Sequence, residues 1–497
     1  LVLRFIQPLT PMIIPSGSYQ RGTVALAIFI LFILAAMHVY FSPNGDRIAS
    51  FFNSSTEEVT DTVTPDKKEP VVFELHCSTT SEAETCPDGY PKQPSFLQNE
   101  TTTCPDYFQW IHEDLKPWGT GITREMLEKA KPTSHFRLVI LKGKIYVEYY
   151  KKSFQTRDVF TIWGFVQLVR MYPGMVPDVE LMFNCGDRPV NPVAAPGNNE
   201  NGVRPPPSFG YCSDEQSLDI PFPDWSFWGW PETNIKPWNN LAGDISRGNQ
   251  MINYVDREPY AFWKGNPTVA ATRMDLLTCN LTEKNDWKAR LFNQDWGAES
   301  HKRFKSSGLA SQCNYRFKIY IEGNAWSVSQ KYILACNSPT LVVKPVFHEF
   351  FSRGLEPLKH YWPIRSERKC KSIKYAVEWG NNHTKESEKM GKAASDFILN
   401  DVSMKYVYDY MYHLLHRYEK LMRFNSKIPA GAVEVCAETL ACTTTGMSRE
   451  FMAESLVNRP ATSSPCIVPE HHPLALSEFK KKKTKTIQMV QQLEESD

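Results

Sequence analysis

RFKIYIEGNAWSVSQKYILACNSPTLVVK, residues 316–344, is the stretch on which the fold turns. Arg316–Ile321 reads as a strand and Gly323 breaks it. Trp326–Ala335 has helical spacing, and Thr340–Lys344 is again a run of strand formers. Upstream the same succession occurs, with Tyr260–Trp263 as a strand, Lys264-Gly265-Asn266-Pro267 as a turn and Thr268–Cys279 as a helix. In the first half, Phe136–Tyr150 is β-rich on both sides of Lys142-Gly143, a hairpin signal. Asp158–Tyr172 reads as an apolar helix stopped by Pro173, and Val179–Phe183 as a strand running into Asn184-Cys185-Gly186-Asp187. Alternation of this kind indicates an α/β fold. Residues 190–240, rich in Pro, Gly, Trp and Asn, read as long loops, and Ser372–Met422 as mostly helical.

In α/β sheets ligands bind beyond the carboxyl ends of strands, where helix N-termini and glycine turns admit phosphates. Three places qualify. Asp187 follows the strand Val179–Phe183. Lys264-Gly265 joins a strand to a helix and supplies a cation. Glu322-Gly323-Asn324-Ala325-Trp326-Ser327 does the same, with Arg316, Lys318 and Lys331 nearby. Two such turns with cations in one half of a chain point to a nucleotide diphosphate.

The rest of the 497 residues sets the context. Hydrophobic content of 42% and charged content of 22% are those of a globular protein, and a net charge of +1 gives no reason to expect a nucleic-acid partner. Thr23–Phe41 carries no formally charged residue and would span roughly 28 Å as a helix. It is read as a transmembrane anchor behind a cytosolic tail, residues 1–22, because Arg4 and Arg21 precede it. A buried core helix is the alternative. Residues 42–103, rich in Ser, Thr, Glu, Asp and Pro, read as an exposed stem pinned by Cys77 and Cys86. Everything beyond the anchor would then be lumenal. Sequons at Asn53, Asn99, Asn280 and Asn382 agree, as do twelve cysteines without zinc-type spacing, which suit an oxidising compartment. Residues 425–497 read as an irregular tail whose basic run, Lys480–Lys483 and Lys485, is solvated.

Some chemistry is missing. The chain has no Asp-x-Asp pair to hold a divalent metal, no Walker A, no Gly-x-Ser-x-Gly and no Gly-x-Gly-x-x-Gly. No metal and no bound cofactor are expected. A departing diphosphate must then be met by Lys, Arg, hydroxyls and backbone amides.

Seven stretches together carry a family resemblance: CPDYFQWIHEDLKPW from Cys104, GITREMLEKA from Gly121, ELMFNCGDRPV from Glu180, DIPFPDWSFWGWPETNIKPW from Asp219, AFWKGNPTVAATRMDLL from Ala261, QCNYRFKIYIEGNAWSVSQKYILACNSPTLVVKP from Gln312, and HYWPI from His360. In order and content they resemble glycosyltransferase family 90, the Rumi-type protein O-glucosyltransferases and their plant and fungal relatives. The AWSVSQKYILACNS form looks most like the plant branch.

The resemblance implies a GT-B-like architecture, two Rossmann-like domains facing a cleft. The acceptor-side domain would be 104–245 and the UDP-sugar-binding domain, with closing helices, 246–424. It implies an inverting, metal-independent transferase that moves glucose or xylose from a UDP-sugar to a protein or polysaccharide hydroxyl; the anchor read at Thr23–Phe41 would place it in a Golgi or endoplasmic reticulum membrane with type II topology. By position, Asp187 matches the family's aspartate base, and Cys313 with Cys336 its disulfide. Lys264, Gly265 and Arg273 fall in its Arg-Gly-Ser loop, and Arg316, Ser327 and Lys331 in its nucleotide motif. Lys264 replaces a family Arg, and Ser329 stands where animal members carry another. Glu322 is read as a ribose ligand or a surface carboxylate. Asp224, Trp225 and Glu232 are read as acceptor-cleft residues or as packing. The rival reading is an inactive lumenal lectin or scaffold of the same fold, to which the intact Asp187 and cations are opposed.

Overall fold

The computed structural model describes residues 72–78, 84–87, 102–193, 205–302, 304 and 308–496. The expected hairpin is present: β1 (Phe136–Leu141) and β2 (Lys144–Tyr149) pair antiparallel from Phe136↔Tyr149 to Leu141↔Lys144. Lys142 and Gly143 both take positive φ, 52° and 76°, as a two-residue hairpin turn of this hand requires. β1 also pairs antiparallel with β3 (Val179–Phe183), whose five residues are all buried. Two short strands, β4 (Phe209–Gly210) and β5 (Ile220–Pro221), continue parallel from β3. This sheet is therefore mixed, in place of the Rossmann-like expectation. A two-residue turn leaves the neighbouring strand no choice but to run back.

The helix Arg157–Met171 covers this sheet and buries nearly all its residues. It does so by close approach: a Cβ on Gly164 would come within 2.5 Å of the Trp228 ring. Trp228 is anchored in turn by its indole N–H, which donates to the Tyr408 hydroxyl at 3.0 Å.

The second sheet is wholly parallel. β6 (Glu258–Gly265) lies between β7 (Ala289–Asn293) and β8 (Tyr315–Tyr320), and β9 (Thr340–Val343) and β10 (Tyr361–Ile364) follow beyond β8. The order thus reverses between β6 and β8, the topological switch where ligands bind in doubly wound sheets. Side chains of β8 alternate. Phe317 and Ile319 pack with Ile373 and Val377 of the helix Lys369–Asn382, while Tyr320 joins Trp326 and Leu334 on the other face. That second cluster also holds Phe183, Phe222 and Trp225, so one apolar core runs from the first sheet to the second.

Residues 425–496 are ordered, contrary to the irregular tail expected. β11 (Val433–Val435) adds to β2, and helices follow at Ala437–Ala441, Gly446–Glu454 and Pro473–Ser496. Disulfides Cys77–Cys442, Cys86–Cys436 and Cys104–Cys466 tie it to the start of the described chain. Cys77 and Cys86 thus hold part of the expected stem against the body. The basic run lies on the last of these helices: Lys480, Lys481, Lys482 and Lys485 are exposed, as expected of a solvated run, although Lys482 pairs with Glu356 at 3.1 Å, whereas Lys483 is half-buried and donates to the Arg353 carbonyl at 3.0 Å. Sequence reading missed this because long-range disulfides and docked helix faces leave no local period.

No helix among the described residues is long and apolar enough to cross a membrane. Thr23–Phe41, Asn53 and Asn99 lie outside the described residues. Of the other two sequons, Asn382 is exposed at the end of the helix Lys369–Asn382. Asn280 is half-buried, and its carboxamide bonds to both the N–H and the C=O of Leu291.

Candidate functional site

A cleft of about 810 Å³ opens above the carboxyl ends of β6 and β8, a size suited to a small organic ligand. On one wall stands Asp187. The turn that presents it is built by Asn184, whose Oδ1 accepts from the Gly186 N–H at 3.0 Å and whose amide donates to the Arg188 carbonyl. Oδ1 of Asp187 accepts from Arg157 Nη1 at 2.6 Å. Oδ2 accepts from the Asn324 side-chain amide at 3.2 Å. Asp187 stays 35% exposed, whereas Arg157 is 9% exposed and lies between the rings of Phe154 and Trp225, 5.1 and 4.5 Å from their centroids.

The opposite wall is the loop Glu322–Ser327 after β8. Arg273 shapes it from beneath, donating to the carbonyls of Glu322, Ile321 and Asn266 and to Ser327 Oγ. Ser327 Oγ also meets Ser329 Oγ at 2.8 Å. Lys264, Gly265, Arg273, Ser327 and Ser329 all line the cleft. Gly265 must be glycine because a Cβ would lie 2.6 Å from the Trp263 ring. The two walls meet at Asn324, whose carbonyl also accepts from Arg188 Nε at 3.1 Å.

Other expected residues stand elsewhere. Arg316 is at the amino end of β8, away from the cleft, and donates to Asn381 Oδ1 and the Val255 carbonyl. Strand polarity is the reason: a parallel sheet binds at its carboxyl ends, and Arg316 is the second residue in. Lys331 is buried and pairs with buried Asp224 at 3.2 Å, so neither lines the cleft. The helix expected from Trp326 begins at Ser329 and is six residues long, which buries Lys331 on its inner face. Glu322 turns away from the cleft and accepts from the Val346 and Phe347 N–H groups. Burial raises its carboxyl to about 7 despite those bonds. Glu232 accepts from Thr156 Oγ1 at 3.0 Å and lies outside the cleft lining, while Trp225 is part of it. Cys313 and Cys336 are joined, with Cα atoms 5.0 Å apart across the β8–helix unit.

Arg157 and Asn324 line the cleft without a role having been assigned to their side chains from sequence, and Lys318, one of the three cations expected near the loop, lines it as well. Arg157 sits in the first turn of an apolar helix, where a lone cation reads as a surface residue. Asn324 lies inside the quoted loop but has no distinctive chemistry until the two walls are seen together. Among the described residues, the one cluster with metal-ligand geometry is Cys104, His413 and Cys466, and two of those three form a disulfide.

Comparison with known proteins agrees with the geometry. The family model for glycosyl transferase family 90 matches residues 99–494. O-glucosyltransferase rumi of Drosophila melanogaster is 24% identical over 352 residues, 67% of this chain and 82% of that protein. Protein O-glucosyltransferase 1 of Homo sapiens is also 24% identical over 352 residues, covering 67% and 83%. A rumi homolog of Anopheles gambiae is 25% identical over 355 residues, covering 68% and 84%.

Proposed function

The chain belongs to glycosyltransferase family 90, and on that premise we propose that it transfers glucose or xylose from a UDP-sugar to an acceptor hydroxyl, with inversion and without a metal. The observation that carries this reading is Asp187 held at the carboxyl end of β3 and bridged by Asn324 to the loop after β8. A base on one wall faces a phosphate-type loop on the other.

In the proposed step, Arg157 fixes Oδ1 of Asp187, and Oδ2 keeps a lone pair for the acceptor hydroxyl. As that hydroxyl loses its proton to Oδ2, its oxygen bonds to the anomeric carbon. The bond to the UDP oxygen breaks on the opposite face. Lys264, the Ser327 and Ser329 hydroxyls and the backbone amides of the loop receive the charge that develops on the leaving diphosphate. Arg273 adds positive charge but has its N–H groups on carbonyls and Ser327, so it holds the loop in shape. The two sheets then act as the two halves of a GT-B-like enzyme.

The O-glucosyltransferase relatives favour glucose and a protein hydroxyl. The five disulfides suit a lumenal compartment, and Thr23–Phe41 would supply a type II anchor there. The test is a donor and acceptor screen. Purified protein is incubated with UDP-glucose or UDP-xylose and with folded protein repeats or matrix polysaccharides, and products are weighed by mass spectrometry. A mass increase of one hexose or pentose on an acceptor supports the reading. Sugar transfer from neither donor to any acceptor, by a folded protein, contradicts it and leaves the lectin or scaffold role.

A further inference from the structure

Lys318 lies under the cleft in a place that costs the fold something. It is 2% exposed, on the face of β8 that looks into the cleft. Among the described residues, its three N–H donors have one hydrogen-bond acceptor, the Gln312 carbonyl at 2.8 Å, and its ammonium lies 4.1 Å from the centroid of the Phe262 ring. No described carboxylate pairs with it. Burial pushes the ammonium's pKa well below its usual range, and the neighbouring charge of Arg257, of like sign, adds to this. A buried cation without a counter-charge is normally eliminated from a core or given a partner.

The position is informative too. Lys318 and Phe262 are cross-strand partners on β8 and β6, the two strands that flank the topological switch. Both line the cleft, together with Gln312, Asn314 and Ile252. Gly323, where a diphosphate would sit, lies in the loop beyond the carboxyl end of β8, which closes at Tyr320, two residues after Lys318. An oxygen that completes Lys318 therefore belongs to the end of a nucleotide farthest from the transferred sugar.

Resting on the UDP-sugar reading above, we infer that Lys318 is a base-reading residue: it donates to the O4 carbonyl oxygen of the donor's pyrimidine, and so selects uracil over cytosine. Cytosine carries an amino donor where uracil carries O4, and that amino group would face the ammonium. A hydrogen bond from a charged donor in such a site contributes about 10- to 100-fold in affinity.

The experiment measures UDP and CDP binding by calorimetry on the full chain, wild type and Lys318→Met. Met keeps the volume and removes the unpaired charge, so the variant should melt no lower than wild type. Wild type should bind UDP about tenfold or more tighter than CDP. Lys318→Met should bind UDP about 10- to 100-fold more weakly and lose most of that preference. Unchanged UDP affinity in a folded Lys318→Met overturns this inference alone. Should that variant not fold, the wild-type comparison decides, since equal affinity for CDP and UDP overturns the inference without it. If wild type binds no UDP at all, the donor reading itself is overturned.

Discussion

Lys331 and Asp224 form a salt bridge of 3.2 Å with both side chains 1% exposed, and it joins the two halves of the chain. Asp224 stands in the loop after β5, and Lys331 in the helix after β8. Ser226 completes the site, accepting from Lys331 at 2.7 Å and donating to Asp224. The residues that sequence reading placed on the diphosphate and in the acceptor cleft are thus partners in a buried pin beneath both.

Removing one member of such a pair leaves an uncompensated charge in the core. Lys331→Met should lower unfolding free energy by about 3–5 kcal/mol, and adding Asp224→Asn should recover much of it. Denaturant titration of the single and double variants measures this. Equal losses in the two would show that the residues do not act as a pair.

Glu322 gives the fold a pH dependence. Burial raises its folded carboxyl from the ordinary 4.5 to about 7. The sign follows from the folded state holding the proton more tightly. Its contribution is complete below about pH 4.5 and declines as pH rises towards about 7, by ~3 kcal/mol at most. Glu322→Gln should therefore gain stability relative to wild type across that window, read as melting temperature against pH. Parallel curves for the two proteins would contradict it.

Glycosylation should discriminate between the two described sequons. Asn382 is exposed, whereas Asn280 uses its carboxamide on Leu291. From a eukaryotic host, Asn382→Gln should remove a glycosidase-sensitive mobility shift and Asn280→Gln should leave that shift in place. The reverse pattern would refute the assignment.

The sequence made the local units plain and the long-range ones obscure. The β1–β2 hairpin, the strand ending at Phe183 and the βαβ unit around Gly323 each have a short-range cause in turn residues and periodicity, and each is present. Arg316 and Lys331 were misplaced because a cation near a motif carries no sign of which strand end or helix face it occupies. The docking of Pro473–Ser496 and the pairing of Cys77 and Cys86 with Cys442 and Cys436 depend on contacts hundreds of residues apart, with no local signal. Arg157 escaped for the same reason: its partner is thirty residues away, in another element.

The central claim is that Asp187 is the base, and Asp187→Asn tests it most directly. Asn keeps the size and can still accept from Arg157, but it cannot take a proton from the acceptor hydroxyl. With the variant folded, the transfer rate should fall by about 10²–10⁴-fold. UDP affinity, which depends on the opposite wall, should stay near wild type. Transfer at close to the wild-type rate by folded Asp187→Asn would contradict the account.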